Sequence, residues 1–153
     1  RLVILASEDV GLADPRALPI ANAAFDAVER VGLPECELNL AHATIFLACA
    51  PKSNSATMAL ARAKELIRGE PVQPVPLHLR DSHTSLNRKL GNGADYIYPH
   101  DCPNHISGQE YMPRPAQIYR PTDYGAEKQV AERLDFYKKL KKEIQNAGNK
   151  RRK

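Results

Sequence analysis

Two stretches concentrate the side chains that bind metals or move protons. They are His78-Leu79-Arg80-Asp81-Ser82-His83 and Tyr98-Pro99-His100-Asp101-Cys102-Pro103-Asn104-His105, with four His, two Asp and one Cys between them. Such a set would suit zinc or a two-metal site. The spacing argues otherwise. His100 and His105 lie in a proline-bearing segment where neither helix nor strand geometry aligns them, and a lone Cys is unlike a structural zinc site. The expected role of His78, Arg80, Asp81, His83, His100, Asp101 and His105 is a structural polar network. It would satisfy backbone groups in a segment with few ladder bonds of its own. No metal ligand and no catalytic residue is assigned.

Three other groups carry charge in a suggestive place. Lys52, Ser53 and Asn54 precede an expected helix, where free amides, hydroxyls and a lysine make an anion site; Ser and Asn are also simply preferred caps. Ser7, Glu8, Asp9 and Asp14 surround a corner between helices. Paired carboxylates there would do acid–base work if burial separated them, but capping and pairing with Arg16 is the reading adopted. Lys138, Lys139, Lys141 and Lys142 lie on the last helix. From Glu127 to Lys153 there are ten Lys/Arg against four Asp/Glu, whereas residues 1–126 carry twelve against fourteen. That basic end is either a solvated helix and tail or a contact for nucleic acid. In the second case Tyr96, Tyr98, Tyr111, Tyr119 or Tyr124 would supply stacking.

Several chemistries have no residues to run on. No Gly is followed by Lys, so no P-loop cradles phosphates. No Asp-Glu pair follows an apolar run, and neither a G-x-S-x-G elbow nor an H-E-x-x-H motif occurs. The longest apolar-rich stretch, 39–50, is too short for a bilayer, which needs roughly 20 residues. Three cysteines without C-x-x-C spacing argue against a disulfide framework and for the cytosol.

The elements that would position these groups are mainly α. Arg1–Val10 shows a helical apolar face and stops at Gly11; its start, without a cap, reads like the middle of a helix, as in a fragment of a longer chain. Asp14-Pro15 restarts a helix to about Val31, irregular at Pro19, with Leu18, Ala21, Ala24, Phe25 and Val28 inward. A third helix follows Pro34 to about Cys49, with Leu38, Ala41, Ile45 and Ala48 inward. A fourth, capped by Ser53 or Asn54, runs from Ser55 to about Arg68. Pro71, Pro74 and Pro76 make an extended connector, and a short helix spans about 82–90. Residues 95–121, with five prolines and four tyrosines, form an irregular strap that has room for a short β-hairpin. Thr122 or Asp123 caps a last helix to about Gln145. The expected fold is a mainly α bundle of five to six helices with an irregular Pro/Tyr/His-rich arm, one domain over 1–145, and a basic disordered tail over 146–153.

Five segments in order resemble one family. Ala6-Ser7-Glu8-Asp9-Val10-Gly11-Leu12-Ala13-Asp14-Pro15 resembles the opening of the C-terminal domain of the RarA/MgsA replication-associated recombination ATPases, related to the Werner helicase-interacting protein. Ala50-Pro51-Lys52-Ser53-Asn54-Ser55-Ala56 and Val75-Pro76-Leu77-His78-Leu79-Arg80-Asp81 are similar to two further segments. So are Tyr98-Pro99-His100-Asp101 with Pro103-Asn104-His105, and the stretch from Tyr119 to Glu127. The resemblance covers about residues 1–140.

The resemblance implies a clamp-loader-collar-like helical domain that assembles a DNA-stimulated AAA+ ATPase into a homotetramer at stalled or damaged replication forks. It also implies ATP and Mg²⁺ as cofactors of the full-length protein, none in this part, and no hydrolysis by this chain alone. The implied partners are the chain itself, DNA through the full-length protein and replication proteins at the fork. No membrane is involved, and the implied setting is the nucleoid-associated cytoplasm. The ATPase motifs of the family have no counterpart here, so no catalytic position is carried over.

Overall fold

The computed structural model describes residues 1–151, with side chains through Gly148. Contacts group the chain into two compact units, Arg1–Arg68 with Gln117–Glu132, and Gly69–Ala116 with Arg133–Lys153. The break falls inside the 1–145 span expected as one domain.

In the first unit, α1 (Leu2–Leu5) passes into a π-helical turn at Ala6–Val10 and a 3₁₀ turn at Gly11–Ala13. The first helix is therefore not regular to Val10, although the chain does break at Gly11, whose φ is 54°. Helix α2 (Ala17–Val31) and α3 (Cys36–Cys49) pack together, and α4 (Ser55–Gly69) follows. The core is small: Ala6, Val10, Ala17, Ala21 and Leu47, flanked by Leu2, Val3, Leu5, Phe46 and Ala50. Helix α2 is regular from its start, because Pro19 falls in the first turn, where amides have no intrahelical partner.

The inward faces differ in part from expectation. Ala21 and Ala24 are buried on α2, but Leu18 and Phe25 are exposed. On α3 the buried residues are Cys36, Ala43 and Leu47, while Leu38 is 78% and Ile45 65% exposed and Ala41 and Ala48 also face outward. Apolar residues occupy all sides of α3, so periodicity alone does not choose a face. The inward stripe is Cys36, Ala43 and Leu47, on a helix that packs against α2 with its buried Ala17, Ala21 and Ala24.

In the second unit, a 3₁₀ turn at Leu77–Leu79 precedes α5 (Ser85–Lys89), and further 3₁₀ turns lie at Pro99–Asp101 and Pro103–His105. Helix α5 is shorter than the expected 82–90. Thr84 is its cap, accepting from the Asn87 amide at 3.1 Å, and the residues before it are taken up by an Asp81 turn. Among the described residues there is no strand, so the expected hairpin is absent. Prolines remove ladder donors from this stretch, and side-chain amides replace them. Gln109 accepts from the Ile97 amide at 3.1 Å and donates to the Asp95 carbonyl at 2.7 Å, while Gln73 accepts from the Arg114 amide at 2.9 Å.

Helix α6 (Glu127–Arg151) begins in the first unit and continues into the second. It runs past the expected end near Gln145, because 138–147 are mostly good helix formers and no proline intervenes. The tail expected over 146–153 is helical through Arg151, and Arg152 and Lys153 lie outside the described residues. No described helix is long and apolar enough to cross a membrane.

Candidate functional site

Three segments of the first unit converge on one carboxylate. Glu127, in the opening turn of α6, is fully buried, and Ser53 and Ser55 at the start of α4 are buried beside it. A bare carboxylate in such a place would be costly. Here the Ser55 hydroxyl and the Tyr119 phenol, at 2.6 Å, donate to Oε1. The Ser53 hydroxyl and the Thr122 hydroxyl, at 2.5 Å, donate to Oε2, joined by the Thr122 amide at 3.4 Å. Burial alone would raise the Glu127 pKa, but the bonds from Ser53, Ser55, Thr122 and Tyr119 outweigh it and hold it down to about 2. Burial, with the neighbouring Glu127 carboxylate, pushes Tyr119 up to about 12. Such a carboxylate stays ionised with its oxygens occupied, so it braces the fold and does not transfer protons.

The backbone closes around the same point. The Ser53 amide donates to the Asp9 carbonyl at 2.7 Å, and the Ala126 amide to the Ala13 carbonyl at 2.8 Å. Both approaches depend on glycine. A Cβ on Gly11 would lie 2.6 Å from the Ser53 carbonyl oxygen, and one on Gly125 would lie 2.1 Å from that of Ala13. The corner 9–14, the α4 start and the α6 start are thus locked together without a large apolar core.

A pH dependence follows from the two shifts. As pH falls, the unfolded chain protonates Glu127 near 4.5, before the folded chain does near 2. The stabilisation present above pH 4.5 is therefore lost through that window, by about 3 kcal/mol. On the alkaline side the unfolded chain loses the Tyr119 proton near 10 and the folded chain near 12, so stability declines between those values. Urea midpoints measured from pH 7 to pH 2 should fall, with a smaller fall for Glu127→Gln. A wild-type midpoint unchanged between pH 4.5 and pH 2 would contradict the bonding described.

The sequence-derived groups are placed as follows. At the expected anion site, Ser53 is taken: it donates to Glu127 and accepts from the Ser55 amide at 3.2 Å. Lys52 and Asn54 are exposed. The anion at this helix start is the chain's own. At the corner, Asp14 accepts from the Arg16 amide at 3.1 Å and from its guanidinium at 2.9 and 2.7 Å. Those bonds hold Asp14 below the usual carboxylate range. Arg16 also lies 5.3 Å from the Phe46 ring centre. Ser7, Glu8 and Asp9 are exposed.

The His/Asp stretches are brought together only locally. Asp81 bonds the His83 amide at 3.2 Å, the His83 ring at Nδ1, and the Asn87 amide group at 3.0 Å. The His83 bond holds Asp81 low, and Asp81 in turn raises His83. Arg80 donates to the Val75 carbonyl at 2.7 Å. The His78 Nε2 is buried without a partner. The His100 ring meets those of Tyr98 and His105 at a tilt, with ring centres 5.0 and 4.8 Å apart, and Asp101 is exposed. Among the described residues no group of three or more His, Cys, Asp and Glu stands close enough to share a metal ion. On α6, Lys141 pairs with Glu110 at 2.8 Å and Lys138 with Asp135 at 3.6 Å, while Lys139 and Lys142 are exposed.

Sequence alone does not show the Glu127 junction. There Ser53 reads as a cap or an anion contact, Tyr119 as a stacking ring and Thr122 as a cap. The available signal was two hydroxyls, Ser53 and Ser55, at one helix start and a Glu in the opening turn of another.

Residues 1–138 match one family model, described as MgsA AAA+ ATPase C terminal. The chain belongs to this family of AAA+ ATPase C-terminal domains. Among relatives, it is 50% identical over 138 residues to an uncharacterized AAA domain-containing protein of Mycobacterium tuberculosis, covering 88% of the chain and 30% of that protein. It is 41% identical over 155 residues to replication-associated recombination protein A of Escherichia coli K12, covering 99% of the chain and 34% of that protein. It is also 44% identical over 126 residues to ATPase WRNIP1 of Dictyostelium discoideum, covering 81% of the chain and 14% of that protein. The chain thus spans about a third or less of each of these relatives.

Proposed function

We propose that this chain is the self-association module of a replication-associated recombination ATPase, and that four copies gather the ATPase heads. The observation that carries this reading is the outer surface of the first unit. Phe25 on α2, Leu38 and Ile45 on α3, and Leu60 and Ile67 on α4 are each more than half exposed, while the buried core is built largely of alanine. Large apolar side chains left outside in such numbers mark a surface that is covered in use. In this reading the whole protein, with its ATP and Mg²⁺ sites elsewhere, acts on DNA in the nucleoid-associated cytoplasm with other replication proteins, and its oligomer resembles a clamp-loader collar. This chain itself carries out no hydrolysis.

The test is a Leu38→Asp, Ile45→Asp double variant examined by sedimentation equilibrium. Both positions are exposed, so folding should survive, with an unchanged helical circular-dichroism spectrum. The expected result is a monomer where the unsubstituted chain is larger. Equal masses for the two proteins would remove the α3 face from the interface.

A further inference from the structure

The second unit holds a groove whose lining includes none of the apolar side chains on which the assembly reading rests. Its walls are the turn Asn104–His105–Ile106 and one face of α6, and its volume is about 520 Å³, within the range of small-ligand pockets. Leu134, Tyr137, Lys138 and Lys141 follow one another at helical spacing, so one face of α6 presents an aliphatic residue, a phenol ring and two ammonium groups together. Ile106 completes the apolar lining. On the opposite wall Asn104 and His105 both have φ above 50°, a rare and costly conformation for residues with side chains. The His105 ring is backed by His100, which in turn meets Tyr98. The apolar lining and two ring systems suit a flat aromatic body, and the lysines suit a phosphate.

We propose that this groove binds a nucleoside phosphate, with the base between Tyr137 and the 104–106 turn and the phosphate at Lys138 and Lys141. The acidic neighbours argue for a compact anion over a long phosphate track. Asp135 pairs with Lys138 and Glu110 with Lys141, so negative charge interrupts the basic face. Glu110 also accepts from Gln145 at 2.8 Å and is held low by Lys141 first and Gln145 second. Glu110 is therefore the built-in competitor of the phosphate for Lys141. The same base-and-phosphate chemistry is offered by a free nucleotide or by one unit of a single strand.

The experiment titrates the whole chain with AMP, adenosine, ribose 5-phosphate and a short oligothymidylate, following Tyr137 by NMR. AMP should bind at least about tenfold more tightly than adenosine or ribose 5-phosphate, since both halves contribute. Tyr137→Ala should weaken AMP by roughly 5- to 100-fold, the range found for base–aromatic stacking. Glu110→Gln should strengthen it about threefold or more by freeing Lys141, a gain that a purely structural role of Glu110 would not give. Binding by the oligonucleotide but not by AMP would assign the site to a strand and overturn the compact-ligand reading. Equal binding of AMP and adenosine, no binding at millimolar concentration, or weaker binding in Glu110→Gln would each overturn it too. The readout is independent of oligomeric state, so its failure leaves the assembly reading untouched.

Discussion

Glu127→Ala is expected to lower stability by about 4 kcal/mol, a fall in Tm of roughly 12 °C for a chain of this size. Four hydroxyls, those of Ser53, Ser55, Tyr119 and Thr122, now donate to this one carboxylate. Removing the acceptor leaves them around a cavity, with only the Thr122–Ser53 hydroxyl contact at 3.4 Å remaining among them. A buried donor without an acceptor costs about 1–3 kcal/mol, and the four are coupled through one group, so their losses do not simply add. Differential scanning calorimetry gives the number. A loss below about 1 kcal/mol would show that the junction relaxes or admits water and is not a keystone. Ser55→Ala, which removes one donor and leaves the carboxylate three other hydroxyls, should cost less.

Gly125→Ala should be at least as damaging, by about 3–5 kcal/mol. Two penalties act together. The residue sits at φ 53°, and its Cβ would stand 2.1 Å from the Ala13 carbonyl oxygen and 2.8 Å from Pro51. The contacts are backbone and proline ring, so neither can swing away as a flexible side chain would. The adjacent Ala126 amide, bonded to that same carbonyl at 2.8 Å, would have to retreat. The comparison is Gly91→Ala, also at positive φ (78°) but with nothing within 4 Å of its Cβ. Chemical denaturation of both should show a clearly smaller loss at 91. Equal losses would mean that φ alone matters and that the close approach at 125 is unimportant.

Helix boundaries at Gly11, Cys49, Ser55 and Gly69 follow from local rules about glycine, proline and hydroxyl caps, and these the sequence displays. Choosing the inner face of α3 needs tertiary information, because Leu38 and Ile45 have the same apolar character as Leu47. The contact with α2 selects the stripe of Cys36, Ala43 and Leu47 and leaves Leu38 and Ile45 outside. The hairpin is absent for a related reason: prolines remove ladder donors from the irregular stretch 95–121, and Gln109 and Gln73 supply substitutes that no local pattern reveals. The Glu127 junction joins residues more than seventy positions apart. Its members were visible singly as caps or stacking rings, and only the fold brings them onto one carboxylate. The Asp14–Arg16 pair, two residues apart, was legible for the opposite reason.

An alanine-rich core, a single buried carboxylate as brace and an outer surface of Phe25, Leu38, Ile45, Leu60 and Ile67 fit together. The buried core of the first unit is small and mostly alanine, so in the assembly reading polar closure at Glu127 and apolar closure against other copies share the stabilisation. That makes stability concentration-dependent if the assembly reading holds.

The most direct measurement of that reading is the absolute mass of the chain by light scattering on a sizing column, over a hundredfold range of concentration. The account predicts a mass near four times 17.0 kDa, holding at the upper concentrations and falling on dilution. A mass of 17.0 kDa throughout would contradict it and leave the outer apolar surface to a different partner.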